Sequence, residues 1–174
     1  AEKLVIPLQF LRLRRKVLQV LRNEIAHLKL GGRPISAAIV KTMLHDLSKA
    51  LITARHIDAL LSKHRVTGPV VLYSYWLTSS ALATVFAGSD HVSLIRIARA
   101  HGGDVYEQRN PVRYLSFRRP LASLLDHIFS ISQARRDDLA QYIGEKSTAI
   151  GLSRLGTRRT GVVPSPDKKS SHEQ

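Results

Sequence analysis

Cysteine is absent from this chain of 174 residues. Its absence excludes a disulfide framework, a thiolate zinc site and a cysteine nucleophile. Long apolar runs are also missing: no stretch approaches the roughly 18 residues of a membrane-spanning helix, and there is no convincing signal peptide. We therefore expect a cytoplasmic protein, with peripheral contact at the inner membrane surface left open. The sequence begins without Met, which suggests a processed, trimmed or partial chain.

Acidic residues are scarce, with 13 Asp and Glu against 27 Lys and Arg, and the net charge is +14. The excess is N-terminal, because residues 1–66 carry 13 basic residues against 4 acidic ones. Such a surface suits nucleic acid, anionic lipid or phosphate-bearing substrates, or it is an ordinary solvated helical face. Nucleic acid is the less favoured partner, since no recognised motif or interleaved aromatic series accompanies the charge.

The remaining composition, 44% hydrophobic and 23% charged, is typical of one globular domain. Helical spacing of apolar residues predicts a first helix over residues 4–30, with Ile25 on its apolar stripe, and Gly31 and Gly32 as its stop. A second helix is predicted from Pro34 to Arg65, with Ser36 as its cap. Its predicted apolar face comprises Val40, Leu44, Leu47, Leu51, Ala54, Ile57 and Leu61.

After residue 68 the pattern changes to short β-branched runs that alternate with helical segments. Four strands are predicted, at residues 70–73, 93–100, 127–131 and 147–152, with helices at 77–87, 117–125 and 133–142 between them. This alternation predicts an α/β fold with a Rossmann-like parallel sheet and helices on both faces. We divide the chain into a helical part (1–66), an α/β core (67–157) and a linker or disordered tail (158–174).

The principal candidate site follows the second predicted strand, where His101, Gly102, Gly103 and Asp104 occupy the carboxyl edge of the sheet. Ligands bind at this edge in open α/β sheets. His101 can hydrogen-bond a hydroxyl or a leaving phosphate. Asp104 can orient His101, bind a sugar hydroxyl or cap the next turn, and the glycines permit close approach of a ligand.

Other polar residues near this edge have competing interpretations. Arg99 shares a strand face with His101 and binds phosphate or, as we slightly favour, pairs with a buried carboxylate. The following loop contains Tyr106, Arg109, Arg113 and Tyr114, which contact an acceptor or solvent. Ser132 caps the helix at residue 133 and can also face a ligand. The aromatic residues of the stretch 73–76, which are Tyr73, Tyr75 and Trp76, stack on sugar or, more commonly, cover the core. We expect surface positions for the arginine pairs 118–119 and 135–136.

No metal site is predicted, because the histidines are scattered without ligand spacing. The sequence also lacks the nucleophile elbow, the Walker loop and the zincin motif, which argues against hydrolase, kinase and metalloprotease functions.

Four blocks carry a family resemblance: residues 72–77 (LYSYWL), 99–106 (RAHGGDVY), 126–132 (DHIFSIS) with Arg135, and 153–156 (SRLG). In this order they resemble the N-terminal half of family-four, GT-B-type glycosyltransferases of bacterial surface-polysaccharide pathways. The resemblance covers residues 70–157. The family's first strand with its glycine-rich loop has no counterpart before residue 4, and its paired-glutamate donor motif is missing.

The resemblance implies one half of a GT-B fold, the acceptor-binding domain of a retaining enzyme that moves sugar from a nucleotide-sugar to a saccharide or lipid-linked acceptor. It implies no metal and no cofactor, a catalytic His101 beside the reacting sugar, and Arg154 at the interdomain cleft. The donor domain would lie beyond this chain, so the isolated chain is expected to be inactive. The alternative is a basic module for nucleic acid or a membrane surface, without catalysis.

Overall fold

The computed structural model describes residues 2–88, 93–144 and 150–154, with side chains from residue 13 onward. Two long helices come first, α1 (Glu2–Leu30) and α2 (Ala37–Lys63). The chain leaves α1 at Gly32, whose φ of 65° is easily adopted only by glycine. Ser36 then caps α2, because its hydroxyl accepts the N–H of Ile39 at 3.3 Å. The predicted stop and the predicted cap are both confirmed.

The remaining elements form a parallel sheet with its connections. The strands are β1 (Val70–Ser74), β2 (Leu94–Ala100), β3 (His127–Ser130) and β4 (Ile150–Leu152). The helices are α3 (Ser79–Phe86), α4 (Gly102–Val105), α5 (Arg118–Leu124) and α6 (Gln133–Ile143), with a 3-10 turn at Glu107–Arg109. The strands pair in the order β1-β2-β3-β4, all parallel. The predicted α/β class with a four-stranded, Rossmann-like sheet is confirmed.

The two faces of this sheet have different surroundings. One face is covered, and its central residues are at most 4% exposed: Ser74, Ala98, Ala100, Ile128 and Ser130. On the opposite face Val71, Tyr73 and Ile95 are 55%, 48% and 40% exposed. We predicted helices on both faces, and for the described residues this is wrong. Right-handed crossovers between strands in sequential order bring each connecting helix to the same face.

The first two helices form a second layer outside the connecting helices. Helix α2 packs mainly on α3, and α1 contacts α3 and α5. One hydrophobic cluster joins these layers, from Val20 and Leu28 of α1 through Met43 of α2 to Ile128 of β3 and Leu139 of α6. The predicted helical part and the predicted α/β core therefore share a single interior. The predicted tail, 158–174, lies outside the described residues.

The buried stripes of α1 and α2 coincide only in part with the predicted ones. In the first half of α2 the buried residues are Ile39, Met43, Leu47 and Ala50, whereas Val40 and Leu44 are 41% and 55% exposed. Of the predicted face, Leu47, Ala54 and Leu61 are buried. In α1, Ile25 is 37% exposed. Periodicity identified both helices, but a face that is apolar over a wide arc does not show which part of the arc meets the neighbour. No described helix combines the length and hydropathy of a membrane-spanning segment.

The interior also encloses charged groups where α1, α5 and α6 meet. Arg118 is 2% exposed, so its predicted surface position is wrong. Its guanidinium lies over the ring of Tyr142, 3.9 Å from the centroid, and donates to the Val105 carbonyl at 2.6 Å and to the Glu107 carboxylate. Glu24 is 1% exposed and accepts the hydroxyl of Tyr114 at 2.6 Å. These polar contacts offset part of the free-energy cost of removing the charged groups from water.

Candidate functional site

The carboxyl ends of the four parallel strands meet at one edge of the sheet. The last residues of β2, β3 and β4 are in register there, since Ala100 pairs with Ser130 and Ser130 with Leu152. The residues that follow the strands therefore come together, including Tyr75 after β1 and His101 after β2. The sequence predicts that this edge binds a ligand.

His101 is enclosed by aromatic rings at the end of β2. Its ring centroid lies 4.8 Å from that of Tyr75 and 4.3 Å from that of Trp76, and the residue is 7% exposed. Tyr75 and Trp76 themselves are 47% and 46% exposed, so they form the solvent-facing side of this group. The Nε2 atom of His101 is buried without a hydrogen-bond partner among the described residues. Buried polar atoms are seldom left so, which marks this nitrogen as a candidate ligand contact.

Asp104 holds the loops of this edge together. It is 2% exposed, and its Oδ2 accepts the backbone N–H of Leu77 at 2.8 Å and that of His101 at 3.2 Å. Burial raises the pKa of Asp104, and these two hydrogen bonds lower it again in part. Asp104 thereby joins the turn after β1 to the backbone of His101, and its three predicted roles stay predictions.

Arg99 crosses the carboxyl edge from β2 to the end of β4. Its Nη2 donates to the Ser153 hydroxyl at 2.9 Å, and its guanidinium lies 6.0 Å from the ring centroids of both Tyr73 and Tyr75. Its Nε is buried without a partner in the described structure. We slightly favoured pairing with a buried carboxylate, but among the described residues Arg99 contacts a hydroxyl and aromatic rings instead.

Two further arginines converge on Gly102. A Cβ atom at this position would lie 2.8 Å from Nη1 of Arg109 and 3.1 Å from Nη2 of Arg135. The absence of a side chain at Gly102 therefore allows both guanidinium groups to approach the backbone. The Nε of Arg135 is buried and has no partner within the described ranges. Gly103 differs, because a Cβ there would meet nothing within 4 Å.

The remaining predicted residues lie around this group. Ser132 caps α6 as predicted and accepts the N–H of Arg135 at 3.5 Å. Tyr106 donates its hydroxyl to Asp138 at 2.8 Å, a hydrogen bond that raises the pKa of the phenol, and its ring lies under Arg109. Arg154 is exposed, two residues beyond the end of β4. The structure thus brings Arg99, His101 and Gly102 together and leaves Arg154 at the periphery.

Arg109 was expected in a loop that contacts an acceptor or solvent, whereas Arg135 was expected at the surface. A sequence signal existed for Arg135, since it lies in the first turn of a helix that begins directly after a strand's carboxyl end. For Arg109 the signal was its place in the loop after the motif, and its exact position depends on the path of the 3-10 turn. The edge is rich in donors and positive charge, which suits a ligand with hydroxyl and anionic oxygens.

Among the described residues, no group of three or more His, Cys, Asp or Glu side chains is arranged to hold a metal ion. Comparisons of the chain with protein-family models, with curated proteins and with solved structures find no match.

Proposed function

We propose that this chain forms the acceptor-binding side of a retaining glycosyltransferase, which moves a sugar from a nucleotide-sugar to a saccharide or lipid-linked acceptor. The observation that supports it most is the grouping of His101 with Tyr75 and Trp76 at the carboxyl edge, with Nε2 of His101 unpartnered. Sugar rings present C–H groups that pack on aromatic faces and hydroxyls that need partners. This group supplies both, and the motif resemblance points to the same activity.

In this proposal each residue has a separate task. Tyr75 and Trp76 hold one face of a sugar ring, and His101 hydrogen-bonds an oxygen of the acceptor near the reacting carbon. Asp104 is a positioning residue, since it binds the backbone of His101 rather than its ring. Transfer also needs a half-site for the nucleotide-sugar, which the resemblance assigns to a second domain. We assign that half-site to another polypeptide segment.

Trp76 offers a direct test, because it is the single Trp in the chain and lies against His101. Saccharide acceptors, free and lipid-linked, are titrated while the tryptophan fluorescence is followed. We expect saturable quenching, and about tenfold weaker binding in His101→Ala, because a hydrogen bond and a packing surface are lost. His56→Ala, at an exposed position on α2, is the matched control. Unchanged fluorescence with all acceptors, or equal loss in the control, contradicts the proposal.

A transfer assay tests the division into half-sites. The chain of residues 1–174 is incubated with nucleotide-sugars and acceptors, and product is measured by mass spectrometry. We expect negligible turnover, and measurable transfer by this chain alone would show that the donor half-site is not elsewhere. In a protein that contains both half-sites, full activity of His101→Ala would refute the role of His101.

A second candidate function, contact with an anionic membrane surface, is favoured by the outer side of α2. Val40, Leu44 and Ile52 are exposed there beside three basic residues, Lys41, Lys49 and Arg55. Both acidic residues of α2 are engaged elsewhere: Asp46 accepts the Ser116 hydroxyl, and Asp58 accepts the Gly88 N–H at 3.0 Å. Basic and apolar side chains on one helical surface are typical of interfacial helices.

Sedimentation with vesicles tests this contact. We expect binding to phosphatidylglycerol vesicles and little binding to phosphatidylcholine vesicles, with loss on replacing Lys41, Lys49 and Arg55 together by Gln. Salt-dependent binding to duplex or single-stranded DNA, without affinity for vesicles, would favour the nucleic-acid alternative instead. Equal binding to both kinds of vesicle would refute the electrostatic argument.

A further inference from the structure

We infer that Arg99, His101 and Arg135 bind a phosphoryl group at the carboxyl edge of the sheet. This inference deepens the proposed function and rests on it for the identity of the larger ligand, since it assigns a phosphate to the acceptor. Unpartnered donors, two arginines at one glycine and the shape of the backbone at Gly102 indicate the anion itself.

Three nitrogen atoms of this edge are buried without a hydrogen-bond partner in the described part of the chain: Nε of Arg99, Nε of Arg135 and Nε2 of His101. They belong to three residues around the turn after β2. The guanidinium of Arg99 and the ring of His101 both lie near the ring of Tyr75, and Nε of Arg135 lies 3.2 Å from the position that a Cβ of Gly102, the residue after His101, would occupy. Leaving one buried donor unpaired costs about 1–3 kcal/mol. A shared acceptor would satisfy all three.

The charges around Gly102 also indicate an anion site. Arg109 and Arg135 bring two guanidinium groups to one glycine, and like charges so close repel each other. The nearby carboxylates are engaged elsewhere: Asp104 binds backbone N–H groups, Asp138 binds the hydroxyl of Tyr106, and Asp137 pairs with Arg136. Within the described residues no carboxylate reaches these arginines, so an anion from outside is the charge that would balance them.

A phosphoryl group fits this arrangement better than a carboxylate. A phosphomonoester carries about −1.5 to −2 charges at pH 7 and three strong acceptor oxygens. The site offers three unpartnered nitrogens and the positive charges of Arg99 and Arg135, so donors and charges match in number. Guanidinium forks also suit phosphate geometry. The phosphate comes from a soluble sugar phosphate or from the head of a lipid-linked saccharide.

Inorganic phosphate and pyrophosphate are the probes, measured with the full chain by calorimetry and by thermal unfolding. We expect saturable binding of at least one of them at millimolar concentration or below, with a raised melting temperature. Arg135→Gln should weaken binding about tenfold, since a charge-assisted hydrogen bond is lost. Arg136→Gln, on the next residue of the same helix, should stay within about twofold.

Two glycine variants separate an effect on anion binding from an effect on folding. In Gly102→Ala the added Cβ displaces the flexible ends of Arg109 and Arg135, so we expect weaker anion binding with near-normal stability. In Gly103→Ala the Cβ enters open space, and both properties should be unchanged. Absence of binding by both anions, or equal effects of the two glycine variants or of the two arginine variants, would overturn the inference.

Two further arms identify the source of the phosphate. Competition by glucose 1-phosphate against pyrophosphate indicates a soluble sugar phosphate, whereas stronger competition by vesicles that contain phosphatidic acid indicates a lipid-linked one. Because inorganic anions contain no sugar, the result of the anion measurement is independent of the result of the saccharide titration. If the anions bind and no saccharide does, the phosphate site is retained and the glycosyltransferase proposal fails.

Discussion

At the scale of single residues, the most informative side chains are the charged ones inside the fold. Glu24 lies on the buried stripe of α1 and accepts hydrogen bonds from Tyr114 and from the backbone of Phe117. Burial nevertheless raises the pKa of Glu24, and its Oε2 is buried without a hydrogen-bond partner among the described residues. Burial and the charge of Arg119 lower the pKa of His27 nearby. Stability should therefore depend on pH through these two groups in opposite directions.

Glu24→Gln isolates the carboxyl contribution. From about pH 4.5 upward, the unfolded chain loses this proton while the folded protein still holds it, so wild-type stability falls as pH rises through the raised pKa. Gln cannot titrate, so the free energy of unfolding of Glu24→Gln relative to wild type should increase over that window. Urea unfolding between pH 4 and 8 measures this difference. The opposing effect of His27 cancels in the comparison, and a difference independent of pH would contradict the prediction.

We expect the stability of the protein to be sensitive to substitution of the buried Arg118. Arg118→Met removes the charge that faces Glu107 and leaves the Val105 carbonyl without its donor. We expect a loss of about 3 kcal/mol in the free energy of unfolding. Arg136→Met, at a half-exposed position, should change it by no more than about 0.5 kcal/mol. Chemical denaturation measures both, and similar values for the two variants would show that the buried contacts of Arg118 are unimportant.

At the scale of elements, the strand order determines on which face of the sheet the helices pack. The order β1-β2-β3-β4 contains no reversal, so the described helices cover one face and the other remains open. The topological switch point that creates a crevice in doubly wound sheets is absent from these four strands. The candidate site is formed instead by the turns after the strands, with Asp104 joining the turn after β1 to the turn after β2.

Two isoleucines on opposite faces test this assignment. Ile128→Ala on β3 creates a cavity under the helices, since Ile128 is fully buried, and should lower the free energy of unfolding by about 2–5 kcal/mol. Ile95→Ala on β2, at a side chain that is 40% exposed, should cost about 1 kcal/mol or less. Urea unfolding compares them. Equal losses would mean that the open face is covered in solution.

At the scale of the whole molecule, the helices of the first part and the sheet form one cooperative unit. Val20 and Leu28 from α1, and Ile39 and Met43 from α2, belong to the same buried cluster as the sheet. The contact between Tyr114 and Glu24 adds a polar connection across 90 residues of sequence. Small domains bury too little surface to lose one layer and remain folded.

A chain restricted to residues 67–154 tests this unity. Without α1 and α2 the outer surfaces of α3 and α5 lose their apolar cover, and Tyr114 loses its acceptor. We expect no cooperative thermal transition and weak protection of backbone amides in hydrogen exchange. The full chain is the control. A sharp transition of the fragment would indicate that the α/β part folds independently.

Parts of the candidate site were predictable and others were not. His101, Gly102 and Asp104 follow a strand directly, so local pattern and the rule for carboxyl edges were sufficient to select them. The partners of these residues were not predictable, because Arg135 comes from another element and Arg109 from an irregular turn. Arg118 was misjudged by residue type alone, and Glu24 was not singled out. Their spacing carried a signal, since Arg118 shares a helical face with Ala122, and Glu24 with Val20 and Leu28.

The sequence by itself determined the alternation of strands and helices, the parallel sheet and the position of the principal motif. Hydrophobic periodicity, caps and glycine stops are local properties, and local interactions reveal them. Only the tertiary structure decided which part of each apolar arc is buried, which face of the sheet is open and which donors converge at Gly102. These features depend on strand order and on contacts between residues far apart in sequence, which no local pattern encodes.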